Sequence, residues 1–102
     1  MNRDTEDIAV RQNKDKQRYE LEVGGVLAAH ADYRSGAHQR DFVHTEVLAG
    51  HEGKGLASRL ARYALDDTRR QHLLVVPTCP FIAKFIHGHA EYQDLLVGQN
   101  PG

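Results

Sequence analysis

Three glycines in six positions, Gly50, Gly53 and Gly55, stand directly before a helical pattern in "GHEGKGLASRLARYAL". Glycine costs roughly 0.5–1 kcal/mol relative to alanine inside regular structure, so the run needs a reason. The first N–H groups of a helix have no intrahelical acceptor, and the helix dipole adds partial positive charge there. Glycines ahead of such an end let the backbone close round an anion, a phosphate or pyrophosphate above all. The alternative is a tight connection that holds nothing. Two phosphate patterns do not fit. A Walker A loop needs Ser or Thr after its lysine, and Lys54 is followed by Gly55. A dinucleotide fingerprint needs glycine or alanine where Ser58 stands.

Other residue types with chemistry in them lie on either side of this loop. His44 and Glu46 stand two apart in "RDFVHTEVLA", about 6.5–7 Å along a strand. Cys79 follows an apolar strand and precedes Pro80 at the first turn of a helix. A helix N-terminus favours the thiolate, the form that attacks a carbonyl, whereas a buried cysteine serves only as a small apolar residue. His87, His89 and Glu91 bracket Gly88 without an i, i+4 pair and without a cysteine, so no metal site is expected. Lys54, Arg59 and Arg62 are expected as solvated charges at the helix start.

The elements that must hold these groups follow from periodicity. Residues Ile8 to Arg11 form a short extended piece, with "QNKDK" as the turn after it. In "RYELEV" the residues Tyr19, Leu21 and Val23 alternate with Arg18, Glu20 and Glu22, the pattern of a half-buried strand. Gly24-Gly25 is a hairpin turn, "VLAAHADYR" a strand, "SGAHQ" a turn. The strand "RDFVHTEVLA" then puts Phe42, His44 and Glu46 on one face and Val43, Thr45 and Val47 on the other. Leu56, Leu60, Tyr63 and Ala64 mark one face of a helix running to about Arg70, with Arg59, Arg62, Arg69 and Arg70 turned to solvent. "HLLVV", bounded by Pro77, reads as a strand buried on both faces, and "PFIAKFIHGH" as a short helix ended by Gly88. Glu91 to Val97 adds a last turn or an edge strand.

The result is an antiparallel meander followed by a βαβ unit, a mixed α/β domain. Such a crossover is right-handed with parallel strands, and ligands gather beyond the carboxyl ends of those strands. The glycine loop and Cys79 therefore belong on one edge of the sheet.

The segment "HTEVLAGHEGKGLASRLARYAL" resembles the acetyl-coenzyme A loop of GCN5-related N-acetyltransferases, [QR]-x-x-G-x-[GA]. Glu52 takes the first position, where the family usually has Gln or Arg; Gly55 and Ala57 take the fourth and sixth. With "TEV" before the loop and "CPF" after the last core strand, the chain resembles the very short branch carrying a C-P-[FY] motif. The likeness covers about residues 8–97.

That resemblance implies an acyl-coenzyme A N-acyltransferase fold whose sheet splays between the strands ending at Leu48 and Val76. Acetyl-coenzyme A, as substrate, would pair its pantetheine with backbone near Val47 and Leu48. Its pyrophosphate would meet the amides of Gly53, Lys54, Gly55, Leu56, Ala57 and Ser58, and one of Lys54, Arg59 or Arg62 would meet its 3′-phosphate. The resemblance also implies catalytic roles: Glu46 as the base, His44 as an acceptor ligand or proton relay, Cys79 as acyl carrier or lining of the acetyl pocket. The acceptor is an amine, on a small molecule or a protein. Larger family members carry helices between their first two strands to shape the acceptor site, and here "QNKDK" stands instead. That shortage keeps a second reading open, a non-enzymatic acyl-coenzyme A binding or sensing module. A third is a structural partner-binding domain.

Composition sets the outer bounds. A length of 102 residues suits one domain with one modest core. Hydrophobic residues make 40% and charged residues 26%, with a net charge of −1, so no basic field draws the chain to nucleic acid or membrane. "MNRDTEDIAV" lacks the apolar stretch of a signal peptide, and no window has the roughly 18–20 apolar residues of a membrane span. Cys79 is the single cysteine, which excludes an internal disulfide and fits a cytoplasmic protein.

Overall fold

A computed structural model describes residues 7–98. The elements run β1 (Ile8–Asn13), β2 (Arg18–Val23), β3 (Val26–Ser35), β4 (Gln39–Val47), α1 (Leu56–Arg70), β5 (Leu74–Pro77), α2 (Pro80–His87) and a 3-10 helix, Ala90–Leu95. The strands form one sheet in sequence order. β1 to β4 pair antiparallel, and β5 joins β4 in parallel after the α1 crossover. This is the expected meander and βαβ unit. The first six residues of "MNRDTEDIAV" and residues 99–102 lie outside the described ones. Among the latter no helix is long and apolar enough to cross a membrane.

One core lies between the sheet and the helices. Tyr19, Leu21, Ala29, Ala31 and Phe42 meet Leu56, Leu60, Ala61, Ala64 and Leu65 of α1, all at most 4% exposed. The alanines of β3 let the helix approach, and each buried leucine contributes about 1.5–3 kcal/mol. α2 packs beside α1 on the same face: the Arg62 guanidinium stands 5.7 Å from the Phe85 ring. Arg62 also donates to Glu91 and Tyr92, and Arg69 to Asp94. These two arginines are exposed, as the sequence led one to expect, and they also tie α1 to the 3-10 helix. The tail beyond it supplies a single bridge, Leu96 beside Val75.

The helices leave the sheet's other face uncovered, and three features of β4 and β5 go beyond the sequence pattern. β5 is buried on one side only, with Val75 at 0% and Leu74 at 42% exposure. The alternation along β4 also breaks. Asp32 pairs with His44 but Tyr33 with Phe42, leaving Val43 as a bulge. A bulge shifts the pleat by one residue, so Phe42 joins Thr45 and Val47 toward the core. His44 and Glu46 project from the open face. Finally, Arg40 turns inward and is 6% exposed. It stacks 4.5 Å over the Tyr33 ring and donates to the Tyr19 hydroxyl at 2.8 Å and to Gln71. Tyr19 in turn donates to Asp67 at 2.7 Å. Burial first, then that bond to Asp67, pushes the Tyr19 phenol well above its ordinary value.

Candidate functional site

β5 pairs with β4 only from Gln39 to Phe42, yet β4 runs on to Val47. The Cys79 amide makes the last link, donating to the Phe42 carbonyl at 2.7 Å. Beyond it the strands fork. From Val43 onward β4 keeps β3 on one side and, among the described residues, has no strand on the other. Leu48 donates its N–H to Ala28 at 2.8 Å and accepts from His51 at 3.1 Å. Backbone groups alternate along a strand, so Thr45 and Val47 direct theirs into the fork. Of the expected pair, Val47 has backbone groups to offer and Leu48 has spent its own within the fold.

The glycine turn stands at the end of this fork. Gly53 and Gly55 have φ of +78° and +72°, a region that side chains rarely adopt. Gly55 is the N-cap of α1, and no side chain caps the helix. The Arg59 amide is the first to bond back, to the Gly55 carbonyl at 3.2 Å. The amides of Leu56, Ala57 and Ser58 therefore precede the helical ladder, and the first turn carries no acidic residue to compete for them. Gly53, Lys54, Gly55 and Ser58 are exposed, whereas the Leu56 side chain is buried in the core. Glu52 turns back on its own loop: the Gly50 N–H donates to its Oε1 at 3.0 Å. Of Lys54, Arg59 and Arg62, Arg62 is taken up by Glu91 and Tyr92.

Three side chains offered by the sequence for catalysis divide between the faces of β4. Cys79 lies on the core side, 3% exposed, its Sγ 3.4 Å from Thr45 Oγ1. It caps α2 in extended conformation with Pro80 behind it. His44 and Glu46 lie on the open face, 57% and 50% exposed in their side chains, with His44 Nε2 3.4 Å from Glu46 Oε1. The structure brings His44 and Glu46 together and sets Cys79 beneath them, across the strand.

The open face holds more than the sequence pointed out. His30 and Asp32 of β3 stand beside Glu46 and His44 of β4. His30 is 9% exposed; its Nδ1 lies 2.8 Å from Asp32 Oδ1 and its Nε2 3.6 Å from Glu46 Oε1. On β2, Glu20 is held by Arg18 and Asn13. Burial pushes its carboxyl up, but those hydrogen bonds and the charges of Arg18 and Arg11 outweigh it and hold Glu20 below its ordinary value. The signal for His30 and Asp32 was present in "AAHADY": two polar residues at period two among alanines.

Of the two histidines at the end of α2, His87 is exposed and His89 packs into the fold. His89 stacks on Phe85 at 3.9 Å and its Nδ1 meets the Phe85 carbonyl. Among the described residues no group of three His, Cys, Asp or Glu side chains is placed to hold a metal ion.

Comparisons with known proteins agree with this architecture. A family model described as GCN5-related N-acetyl-transferase matches residues 18–95. A bovine protein named NATD1 is 41% identical over 46 residues, which cover 45% of this chain and 41% of that protein. The match thus spans about two fifths of that relative's length. The solution structure of a Staphylococcus aureus protein described as GCN5-like superposes with a TM-score of 0.68, covering 91% of each chain at 19% identity. That last likeness is one of fold.

Proposed function

The chain belongs to the family of GCN5-related N-acetyltransferases, and from that premise we propose that it transfers the acetyl group of acetyl-coenzyme A to an amine in the cytoplasm. The observation that carries this reading is the fork after Phe42 with an uncapped glycine turn at its end. A strand edge with free backbone groups suits an amide-bearing arm, and a helix start with free amides suits a pyrophosphate.

In this reading Val47 pairs with the pantetheine, and the amides of Gly53, Lys54, Gly55, Leu56, Ala57 and Ser58 hold the pyrophosphate. The acceptor approaches over the open face, where the short β1–β2 turn leaves room for a large amine-bearing partner or a small molecule. Glu46 takes the proton of the incoming ammonium. The neutral amine nitrogen then bonds the thioester carbon, the carbon–sulfur bond breaks, and the second proton lost from nitrogen ends on the departing thiolate, with His44 as relay. Cys79, under Thr45, lines the acetyl pocket.

The test is acetylation of an amine panel by the native protein and by Glu46→Gln. Removing the base should lower turnover about 10²–10⁴-fold while coenzyme A affinity stays near its parent value. An unchanged rate across the pH profile would take Glu46 out of the mechanism. The second reading, an acyl-coenzyme A sensing module, draws on the Glu52 carboxylate in the anion loop and on the bare acceptor face. It predicts binding without transfer to any amine.

A further inference from the structure

The geometry of the open face points to a proton relay, in which His30, oriented by Asp32, receives through Glu46 the proton that Glu46 takes from the acceptor. This rests on the role of Glu46 proposed above and adds two residues to it.

An ionised Asp32 carboxylate only accepts hydrogen bonds. His30 Nδ1 lies 2.8 Å from Asp32 Oδ1, so Nδ1 carries a proton. In neutral imidazole the other nitrogen is then the acceptor. That nitrogen, Nε2, faces Glu46 Oε1 at 3.6 Å, longer than a formed hydrogen bond, as catalytic contacts often are before substrate binds. Two lone pairs facing each other repel, and one added proton turns the contact into a bond. The proton sits either on Glu46, donating to Nε2, or on Nε2, donating to Glu46. In the second case the imidazolium stands between two carboxylates, Asp32 and Glu46.

The balance is simple. The ammonium gives one proton to the Glu46 carboxylate and becomes a neutral amine. Glu46 passes that proton to His30 Nε2 and returns to its ionised form. The proton then leaves to water through the exposed side of Glu46 and His44. No electrons move and no co-reactant is needed.

The surroundings favour this use of His30. It is nearly buried, so its orientation is fixed by Asp32 and by neighbours. The charged groups near it are Arg18 and Glu20 on β2, Asp32 on its own strand, and His44 and Glu46 on β4. Glu20 is satisfied by Arg18, Asn13 and Arg11, which leaves Asp32 and Glu46 as the anions His30 serves.

Nitrogen-15 NMR of the imidazoles in the full chain, without ligand, tests this independently of any acceptor. Neutral His30 should carry its proton on Nδ1, against the usual preference of free histidine for Nε2. Asp32→Asn should return it to the Nε2–H form. At fixed neutral pH the Glu46 carboxyl carbon should sense the His30 Nε2 that faces it. In His30→Gln its chemical shift should move away from the parent value, while the melting profile stays cooperative. A neutral His30 with its proton on Nε2, or a Glu46 signal indifferent to His30, would overturn the relay. Either result would leave acetyl transfer through Glu46 alone intact, and loss of transfer would in turn leave the tautomer result standing.

Discussion

The Cys79 amide donates to the Phe42 carbonyl at 2.7 Å, and one residue further along β4 the chain bulges at Val43. The closing bond and the bulge together fix where the sheet opens. They also decide which side chains face the opening from below, Thr45 and Cys79, and which from above, His44 and Glu46.

Cys79 is therefore expected to behave as a floor. With the thiol 3% exposed, a small alkylating agent should label the native protein slowly, and acetyl-coenzyme A should slow it further by filling the fork. Cys79→Ala should cost about 1 kcal/mol of stability through lost packing. Labelling at the same rate with and without the ligand would remove Cys79 from the pocket.

Gly55 carries a sharper expectation. A Cβ there meets nothing within 4 Å, so Gly55→Val is opposed by its φ of +72° and by the ligand, not by neighbouring atoms. Strain of this kind costs about 1–3 kcal/mol. Coenzyme A should raise the melting temperature of the parent and leave that of the variant unmoved. An equal shift in both would end the assignment of the loop.

Glu52 stands where a charge of its sign opposes an anion. At about 6 Å in a water-like medium one such charge costs ~0.7 kcal/mol, or roughly threefold in affinity. Glu52→Gln keeps an acceptor for the Gly50 amide and should tighten coenzyme A binding by that factor in a calorimetric titration. Weaker binding would show that the carboxylate's hold on Gly50 matters more than its charge.

Much of this architecture could be read from the residues. The alternation in "RYELEV", the Gly24-Gly25 turn and the α1 periodicity predicted their elements within a few residues, because each is a local pattern with one burial solution. The bulge at Val43 carries no such mark; it arises from pairing with β3, and it reverses the face of Phe42 relative to His44. The inward turn of Arg40 depends on Tyr19, Tyr33 and Gln71, which are distant in sequence. The pairing of Arg62 and Arg69 with the 3-10 helix likewise joins residues more than twenty positions apart. The glycine turn ahead of α1 was legible in the sequence, and the neighbours of Glu46 on β3, His30 and Asp32, became visible only once β3 and β4 were in register.

Tyr19 links the core to the buried guanidinium. Tyr19→Phe would leave Arg40 without its hydroxyl acceptor and remove one donor from Asp67, which keeps Arg70 and Gln71, at a cost of about 1–3 kcal/mol. Urea unfolding at neutral pH should report that loss. A change within the error of the measurement would mean the network relaxes onto Gln71.

Acid stability should depend on Glu20. Its carboxyl is held below its ordinary value in the folded protein, so its contribution is complete above that ordinary value and is lost as pH falls through the lowered one. Unfolding free energy measured from neutral pH down through about pH 5 and below should fall more steeply in the parent than in Glu20→Gln. Parallel curves would show that Glu20 gains nothing from Arg18 and Asn13.

The most direct measurement of the whole account is a titration of nitrogen-15-labelled protein with acetyl-coenzyme A, read amide by amide. Saturable shifts are expected at Val47 and from Gly53 to Ser58, with smaller ones at Thr45 and Cys79, and none in the β1–β2 turn. Shifts confined to another surface, or no saturable shift in the glycine turn, would contradict it.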